Sequence, residues 1–216
     1  MIRVAWFRRA PIALLVPVLC GVLGCAGDDD LVEVMYHAED GARRARVWIP
    51  VDEARSVGTY RATVNWGDGS SSSTLAERDG MIGGVWLSDL DGDGPPELIV
   101  ATSSAGSGSY GWVHVYRRSG DSLASVEIEP LDVEQREGYM GHDAFEVEDG
   151  CLYRSFPVYR AGDSNSEPSG GVARYRYSLT DSRWIGEPEP DDREHDGGGA
   201  EAGERISEAT RGGSDG

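Results

Sequence analysis

The chain has 216 residues, of which 20 are basic and 38 acidic, so its formal net charge is −18, and every basic residue is an arginine. This balance argues against nucleic-acid binding, which requires a basic face, and against electrostatic adsorption to anionic lipid. A basic protein partner would be steered towards such a surface. Solubility or a salty habitat is the simpler explanation when the charge is considered alone.

The N-terminus has the pattern of a bacterial export signal. Arginines at positions 3, 8 and 9 precede the apolar stretch 10–23, which is too short and too interrupted by prolines to remain as a membrane-spanning helix. The stretch leads to Cys25, preceded by glycine and followed by alanine, which resembles a lipobox of the outer-membrane kind. We therefore predict a signal peptide at 1–24, lipidation of Cys25 and a lipid-anchored tether at 25–40. The protein would then face the periplasm from the outer membrane of the cell envelope. Ordinary signal cleavage with an incidental Cys25 is the alternative.

The C-terminal segment 187–216 is rich in Glu, Asp and Gly and has almost no apolar residues. It cannot bury enough surface to offset the entropy of ordering, so we predict a disordered acidic tail there and a folded domain at 41–186. Once the signal is removed and Cys25 is lipidated, Cys151 is the remaining cysteine, and no internal disulfide is expected.

Within the predicted domain, the hydrophobic pattern is that of strands. Apolar and polar residues alternate from Tyr60 to Trp66, and the apolar run 98–101 is typical of a central strand that is covered on both faces. Asp149-Gly150 predicts a tight hairpin turn, the serine run 70–73 is interpreted as a loop tip, and no helix is predicted. Strands are predicted at 45–49, 60–66, 81–87, 98–101, 111–117, 123–128, 145–147, 151–159 and 173–179. The expected fold is all-β, an antiparallel β-sandwich or flattened barrel.

A loop of small residues, here called the serine–glycine loop (residues 104–110), separates two of these strands. It is longer than an ordinary hairpin turn, and it carries no bulky side chain before Tyr110. Its glycines permit tight backbone turns. Such a loop is thin enough to enter a narrow cleft, although a flexible hairpin tip would have the same composition.

A second loop has the spacing of a calcium site. Carboxylates stand at Asp89, Asp91, Asp93 and Glu97, which would place several oxygens around one point. The bidentate glutamate of a calcium loop is replaced by Val100, and an acidic hairpin without metal is the alternative. We therefore expect no obligatory cofactor, with calcium as a possible ligand of these four residues.

Recognised catalytic signatures are missing from the sequence. It contains no GxSxG, HExxH or phosphate-loop motif. His142 and Asp143 are suitable as an acid–base pair, but no nucleophile is marked near them, and His114 alternates with apolar neighbours as a packed residue does. The chain is therefore not expected to be an enzyme.

The run 91–100, followed by the serine–glycine loop, resembles the periplasmic inhibitors of invertebrate-type (I-type) lysozyme, and residues 58–64 are similar to an early strand of that family. The resemblance covers about 45–130. In the family a Ser-Gly-x-Tyr loop enters the active-site cleft of the lysozyme, and here this motif falls on 107–110. The resemblance thus implies a basic lysozyme as partner and a binding loop made of Ser104, Gly106, Ser107, Gly108, Ser109 and Tyr110.

Two functional hypotheses follow. The first is a lipid-anchored lysozyme inhibitor whose loop plugs the active site. The second is a calcium-dependent β-module that binds an envelope or surface partner through the loop at 89–97.

Overall fold

The computed structural model describes residues 32–187, and the predicted signal peptide, Cys25 and nearly all of the predicted tail lie outside them. The described part contains twelve strands and no helix long and apolar enough to cross a membrane, and the all-β prediction is confirmed. The strands are β1 (Val32–Asp40), β2 (Arg43–Pro50), β3 (Val57–Asn65), β4 (Ser71–Asp79), β5 (Met81–Ser88), β6 (Glu97–Ser103), β7 (Gly111–Ser119), β8 (Ser122–Val126), β9 (Ala144–Glu148), β10 (Cys151–Pro157), β11 (Val172–Ser178) and β12 (Arg183–Gly186).

The first eight strands form a nearly closed barrel in the order β1-β2-β3-β4-β8-β7-β6-β5. Its two end strands, β1 and β5, lie against each other. All neighbours are antiparallel except β4 and β8, which meet in parallel at Ser73 and Ser122. The inward side chains of the alternating strands, among them Val47, Tyr60 and Val64, fill the barrel core.

Three strands differ from the sequence prediction. Strand β1 occupies part of the segment predicted to be a tether, and β12 was not predicted. The interpretation of the serine run as a loop tip is wrong, because Ser71–Ser73 begin β4. Ser72 is buried there, and its hydroxyl group donates a hydrogen bond to Gly120 O (2.5 Å) and accepts one from Trp66 Nε1 (2.8 Å). A small polar residue is tolerated at this junction because its hydroxyl group is satisfied.

Strand β6 is covered on both faces, as its apolar run predicted. Leu98 and Val100 point into the barrel core, whereas Ile99 points outwards into a second core. This second core is closed by the remaining four strands, which form a C-terminal sheet in the order β12-β11-β10-β9. Leu152, Phe156 and other residues of that sheet pack on the outer face of β6 and β7.

The hairpin predicted at Asp149-Gly150 joins β9 to β10 with both residues at positive φ (49° and 75°), and its prediction is confirmed. Cys151, which follows it, is half-buried and forms no disulfide.

Candidate functional site

The serine–glycine loop joins β6 to β7 and is closed at its base by its own hydrogen bonds. Ser104 N donates to Tyr110 O (2.8 Å), and Tyr110 N donates to the Ser104 hydroxyl oxygen (3.0 Å). A further turn closes within the loop, where Ser109 N donates to Gly106 O (3.0 Å). Both the backbone and the hydroxyl group of Ser104 are therefore used in closing the base of the loop.

Two of the predicted binding residues are left with accessible hydroxyl groups. Ser107 and Tyr110 are exposed, and their hydroxyl groups have no hydrogen-bond partner within residues 32–187. Gly108 and Ser109 lie lower in the loop and are half-buried. The loop thus presents two exposed hydroxyl groups that are free to hydrogen-bond, that of Ser107 near its tip and that of Tyr110 at its base.

The flank of the loop is in contact with residues 141–165. His142 N donates a hydrogen bond to Gly108 O (2.5 Å), and Asn165 Nδ2 donates one to Ser107 O (3.2 Å). Gly141 has a φ of +93°, and a Cβ atom at this position would lie 2.0 Å from Gly108 O. Backbone approach this close is possible only for glycine.

A buried ion pair lies beneath the loop. The Asp143 side chain is fully buried and accepts hydrogen bonds from Gly111 N (2.7 Å), Arg154 Nε (2.7 Å) and the Tyr139 hydroxyl group (2.5 Å). The Arg154 guanidinium also lies over the ring of Tyr139, 5.2 Å from its centroid. Burial and, to a smaller extent, the hydrogen bond to Asp143 raise the pKa of Tyr139. Gly111 is the first residue of β7, so Asp143 attaches this network to the end of the loop.

His142 and Asp143 do not form the acid–base pair considered from the sequence. The Nε2 atom of His142 lies 3.4 Å from Asn165 Oδ1, and its ring faces that of Tyr159. The Asp143 carboxylate instead binds Gly111, Tyr139 and Arg154 beneath the loop, so the two side chains do not interact with each other.

An aromatic groove of about 320 Å³ begins at Tyr110 and runs along β7. The Tyr110 ring meets that of Tyr139 edge to face, with 5.7 Å between the centroids. Trp112, also on the wall of the groove, is 45% exposed. Exposed aromatic surface therefore adjoins the base of the loop.

The predicted calcium residues come together only in part. Carboxylate oxygens of Asp89, Asp91 and Glu97 lie within 4.8 Å of one another, and Asp93 is not part of this group. The Arg117 side chain pairs with Asp91 and with Glu97 (Nε to Oε1, 2.9 Å).

Carboxylate oxygens of Asp89 and Glu97 are also engaged by backbone groups of this acidic loop. Asp89 accepts hydrogen bonds from Gly92 N and Gly94 N (both 2.8 Å), and Glu97 Oε2 accepts one from Leu90 N (2.9 Å). Burial raises the pKa of Glu97. Arg117 thus partly neutralises this carboxylate cluster, and calcium binding stays a prediction.

Comparison with known proteins places this chain in a family. Residues 45–135 match the family of periplasmic lysozyme inhibitors of I-type lysozyme. The crystal structure of such an inhibitor from Aeromonas hydrophila is 30% identical in sequence, and the match covers 43% of this chain and 84% of that one, with a TM-score of 0.37. The chain belongs to this inhibitor family. A search of curated proteins gave no match.

A second solved structure shows an inhibitor of this family with its target. The Aeromonas hydrophila inhibitor in complex with Meretrix lusoria lysozyme is 33% identical, covering 39% of this chain and 74% of that one, with a TM-score of 0.36. Because the family is one of inhibitors, the expectation that this chain is not an enzyme is confirmed. The family match ends at residue 135, before the C-terminal sheet and the residues that contact the flank of the serine–glycine loop.

Sequence reasoning missed the residues that support the loop. These residues all follow the matched region, and none of them is part of a recognised sequence motif: Gly141, Asp143, Arg154 and Asn165. The signal that the sequence does offer is the cluster of glycine, histidine and aspartate at 141–143, which by itself suggests only an acid–base pair.

Proposed function

We propose that this inhibitor blocks an I-type lysozyme by inserting the serine–glycine loop into the active-site cleft of the enzyme. The observation that carries the proposal is the form of the loop: it bears two exposed, unpaired hydroxyl groups, on Ser107 and Tyr110, and no large side chain besides Tyr110. The family match supports an I-type lysozyme as the target.

The chemistry of a lysozyme cleft suits these two groups. Glycoside hydrolases of this kind act through a pair of carboxylic groups that flank the scissile bond. A serine or tyrosine hydroxyl group donates a hydrogen bond to a carboxylate, and such charge-assisted bonds are shorter and stronger than neutral ones. Ser107 and Tyr110 would occupy the place of the substrate's hydroxyl groups without offering a bond to cleave.

The test is the double variant Ser107→Ala/Tyr110→Phe, which removes both hydroxyl groups and keeps the contact of the Tyr110 ring with Tyr139. Each lost charge-assisted hydrogen bond is worth about 1.5–3 kcal/mol, so the inhibition constant should rise about a hundredfold or more. The measurement is a titration of lysozyme activity with inhibitor, alongside the melting temperature, which should stay within about 2 °C of the wild type.

The control is Ser125→Ala, which removes an exposed hydroxyl group on β8 and should leave inhibition unchanged. If the double variant inhibits as well as the wild type, the loop is not the plug.

We also propose that Cys25 is the lipid-bearing first residue of the mature chain and that the lipid holds the inhibitor at the outer membrane. The support is the residue pattern around Cys25 and the periplasmic description of the family. Cys25→Ser should abolish labelling by a radioactive fatty acid and release the protein from the membrane fraction. Cys20→Ser, within the same apolar stretch, should change neither. An unlabelled wild-type protein would refute the anchor.

A further inference from the structure

The part of the chain that follows the family match contacts the serine–glycine loop at three points. The contacts come from residues 141–143, which lead into β9, and from Asn165, which lies between β10 and β11. We refer to residues 141–143 together with Asn165 as the brace.

We propose that the brace holds the serine–glycine loop in its lysozyme-binding conformation, with Gly141, Asp143 and Asn165 as positioning residues. This inference rests on the proposed function of the loop. It assigns to the C-terminal sheet a role in inhibition that the matched region 45–135 does not include.

The first contact is between two backbones. Gly108 O accepts a hydrogen bond from His142 N, and the approach is so close that Gly141 has no room for a side chain. Gly108 also has no room for a side chain, since a Cβ atom there would lie 2.7 Å from the Tyr110 ring and 3.2 Å from Met140 O. The middle of the loop is thus in close contact with Gly141 and with Tyr110.

The second contact holds the exposed end of the loop. Asn165 Nδ2 donates to Ser107 O, next to one of the two free hydroxyl groups. Asn165 is held in turn, because the Tyr159 hydroxyl group donates to Asn165 O (3.0 Å), and the Tyr159 side chain is buried. The position of Ser107 is therefore tied to the C-terminal sheet through a buried aromatic residue.

The third contact fixes the end of the loop. The buried Asp143 carboxylate accepts a hydrogen bond from Gly111 N, directly after Tyr110, and is itself paired with Arg154 on β10. The direction in which Tyr110 leaves the barrel is thereby coupled to the C-terminal sheet.

The physical consequence is preorganisation. A loop with two glycines and three serines among seven residues has a high conformational entropy when free, and ordering it at the moment of binding would weaken affinity. If the binding conformation were populated only one time in ten, the apparent affinity would fall about tenfold. The brace removes this loss by ordering the loop before the lysozyme arrives.

The experiment compares two glycine-to-alanine substitutions with equal backbone strain. Gly141 and Gly162 have φ values of +93° and +97°, but a Cβ atom at Gly141 meets Gly108 O, whereas at Gly162 it meets nothing within 4 Å. Gly141→Ala should raise the inhibition constant about tenfold. It should also speed amide hydrogen exchange of Ser109 and Tyr110. Gly162→Ala should leave both quantities at wild-type values.

A second variant guards against misfolding of Gly141→Ala. Asn165→Ala removes the exposed side-chain donor to Ser107 O together with the Oδ1 contact to His142 Nε2, and Asn65→Ala removes an exposed asparagine that accepts a hydrogen bond from Gly67 N in a distant turn. Asn165→Ala should raise the inhibition constant several-fold with an unchanged melting temperature, and Asn65→Ala should not raise it.

The outcomes separate the two proposals. If the wild type inhibits and the Gly141 and Asn165 variants inhibit equally well, the brace is overturned, even if hydrogen exchange becomes faster. If the wild type inhibits no I-type lysozyme, the proposed function fails. In that case hydrogen exchange alone tests the brace. Unchanged exchange of the loop amides in Gly141→Ala and Asn165→Ala overturns it, and faster exchange supports the conclusion that the brace orders the loop.

Discussion

His114 illustrates how its neighbours determine the charge state of one side chain. It lies on β7 with its ring edge to face with that of Tyr60, 6.1 Å between centroids, and its Nε2 atom is buried without a hydrogen-bond partner among the described residues. Burial lowers the pKa of His114, because the charged imidazolium would lose its hydration there. The expectation that this histidine is packed is confirmed.

Stability should therefore depend on pH through His114. Below about pH 6.5 the unfolded chain binds a proton at this position more readily than the folded one, so the free energy of unfolding falls as the pH is lowered. We expect His114→Phe to retain more of its stability between pH 7 and pH 5 than the wild type, as measured by urea unfolding. His37→Gln, at an exposed position on β1, serves as the control. Equal pH slopes for His114→Phe and the wild type would contradict this assignment.

At the scale of elements, the C-terminal sheet is attached to the barrel by apolar packing and by the hydrogen bond from Gly111 N of β7 to the buried Asp143 carboxylate. Ile99 and Val115 of the barrel pack against the sheet, and Asp143 pairs with Arg154 on β10 beside the aromatic rings of the second core. A buried pair adds little net stability over an apolar replacement, but the loss of one partner leaves an uncompensated charge.

Arg154→Met should consequently lower the free energy of unfolding by about 3–5 kcal/mol, because it leaves the Asp143 carboxylate buried without its cation. Arg154→Met/Asp143→Asn together should cost less than the sum of the two single variants, as a double-mutant cycle of urea unfolding would show. Arg174→Met breaks a more exposed pairing with Glu146 and Glu148 and should cost less than about 1 kcal/mol. Equal losses for Arg154→Met and Arg174→Met would contradict the assignment of a buried, coupled pair.

At the scale of the whole molecule, charge should govern how fast the inhibitor meets its target. Removal of residues 1–24 takes away three arginines and no acidic residue, which changes the formal charge from −18 to −21. A basic lysozyme would be drawn towards such a surface, and long-range attraction acts mainly on the association rate.

Raising the salt concentration from low to physiological shortens the Debye length to about 8 Å. The association rate constant with a basic lysozyme should then fall several-fold, while the dissociation rate, set by the inserted loop, changes less. Surface plasmon resonance over a salt series measures both rates. An association rate that does not depend on salt would assign the acidic surface to solubility alone.

Local patterns in the sequence were sufficient for much of the fold. Alternation from Tyr60 to Trp66 predicted β3, the apolar run at 98–101 predicted a strand covered on both faces, and Asp149-Gly150 predicted a hairpin turn. Each of these signals reflects an interaction within one strand or between adjacent strands, so it can be read from consecutive residues. Family resemblance, which depends on a short run of matching residues, also belongs to this level.

Tertiary contacts determine the strands that have no such local pattern, and β4 is the example. The sequence of β4 shows no regular alternation of apolar and polar residues. Its Ser72 can be buried because Gly120 O and the Trp66 indole satisfy its hydroxyl group. Arg78, at the other end of β4, is buried because its guanidinium donates to the carbonyl oxygens of Ala54, Arg55 and Gly80. Apart from Gly80, these partners lie six or more residues away in the chain, so the local sequence does not reveal them.

The sequence by itself determined that the chain is built of strands and which loop carries the Ser-Gly-Ser-Tyr motif of its family. Only the tertiary structure decided what supports that loop, since Asn165 and Ser107 are 58 residues apart in the chain and meet through the packing of one sheet on another. The sheets pack because the outward apolar side chains of β6 and β7 must be buried against another part of the chain. The hydrophobic effect is non-directional, so it does not specify which segment buries them.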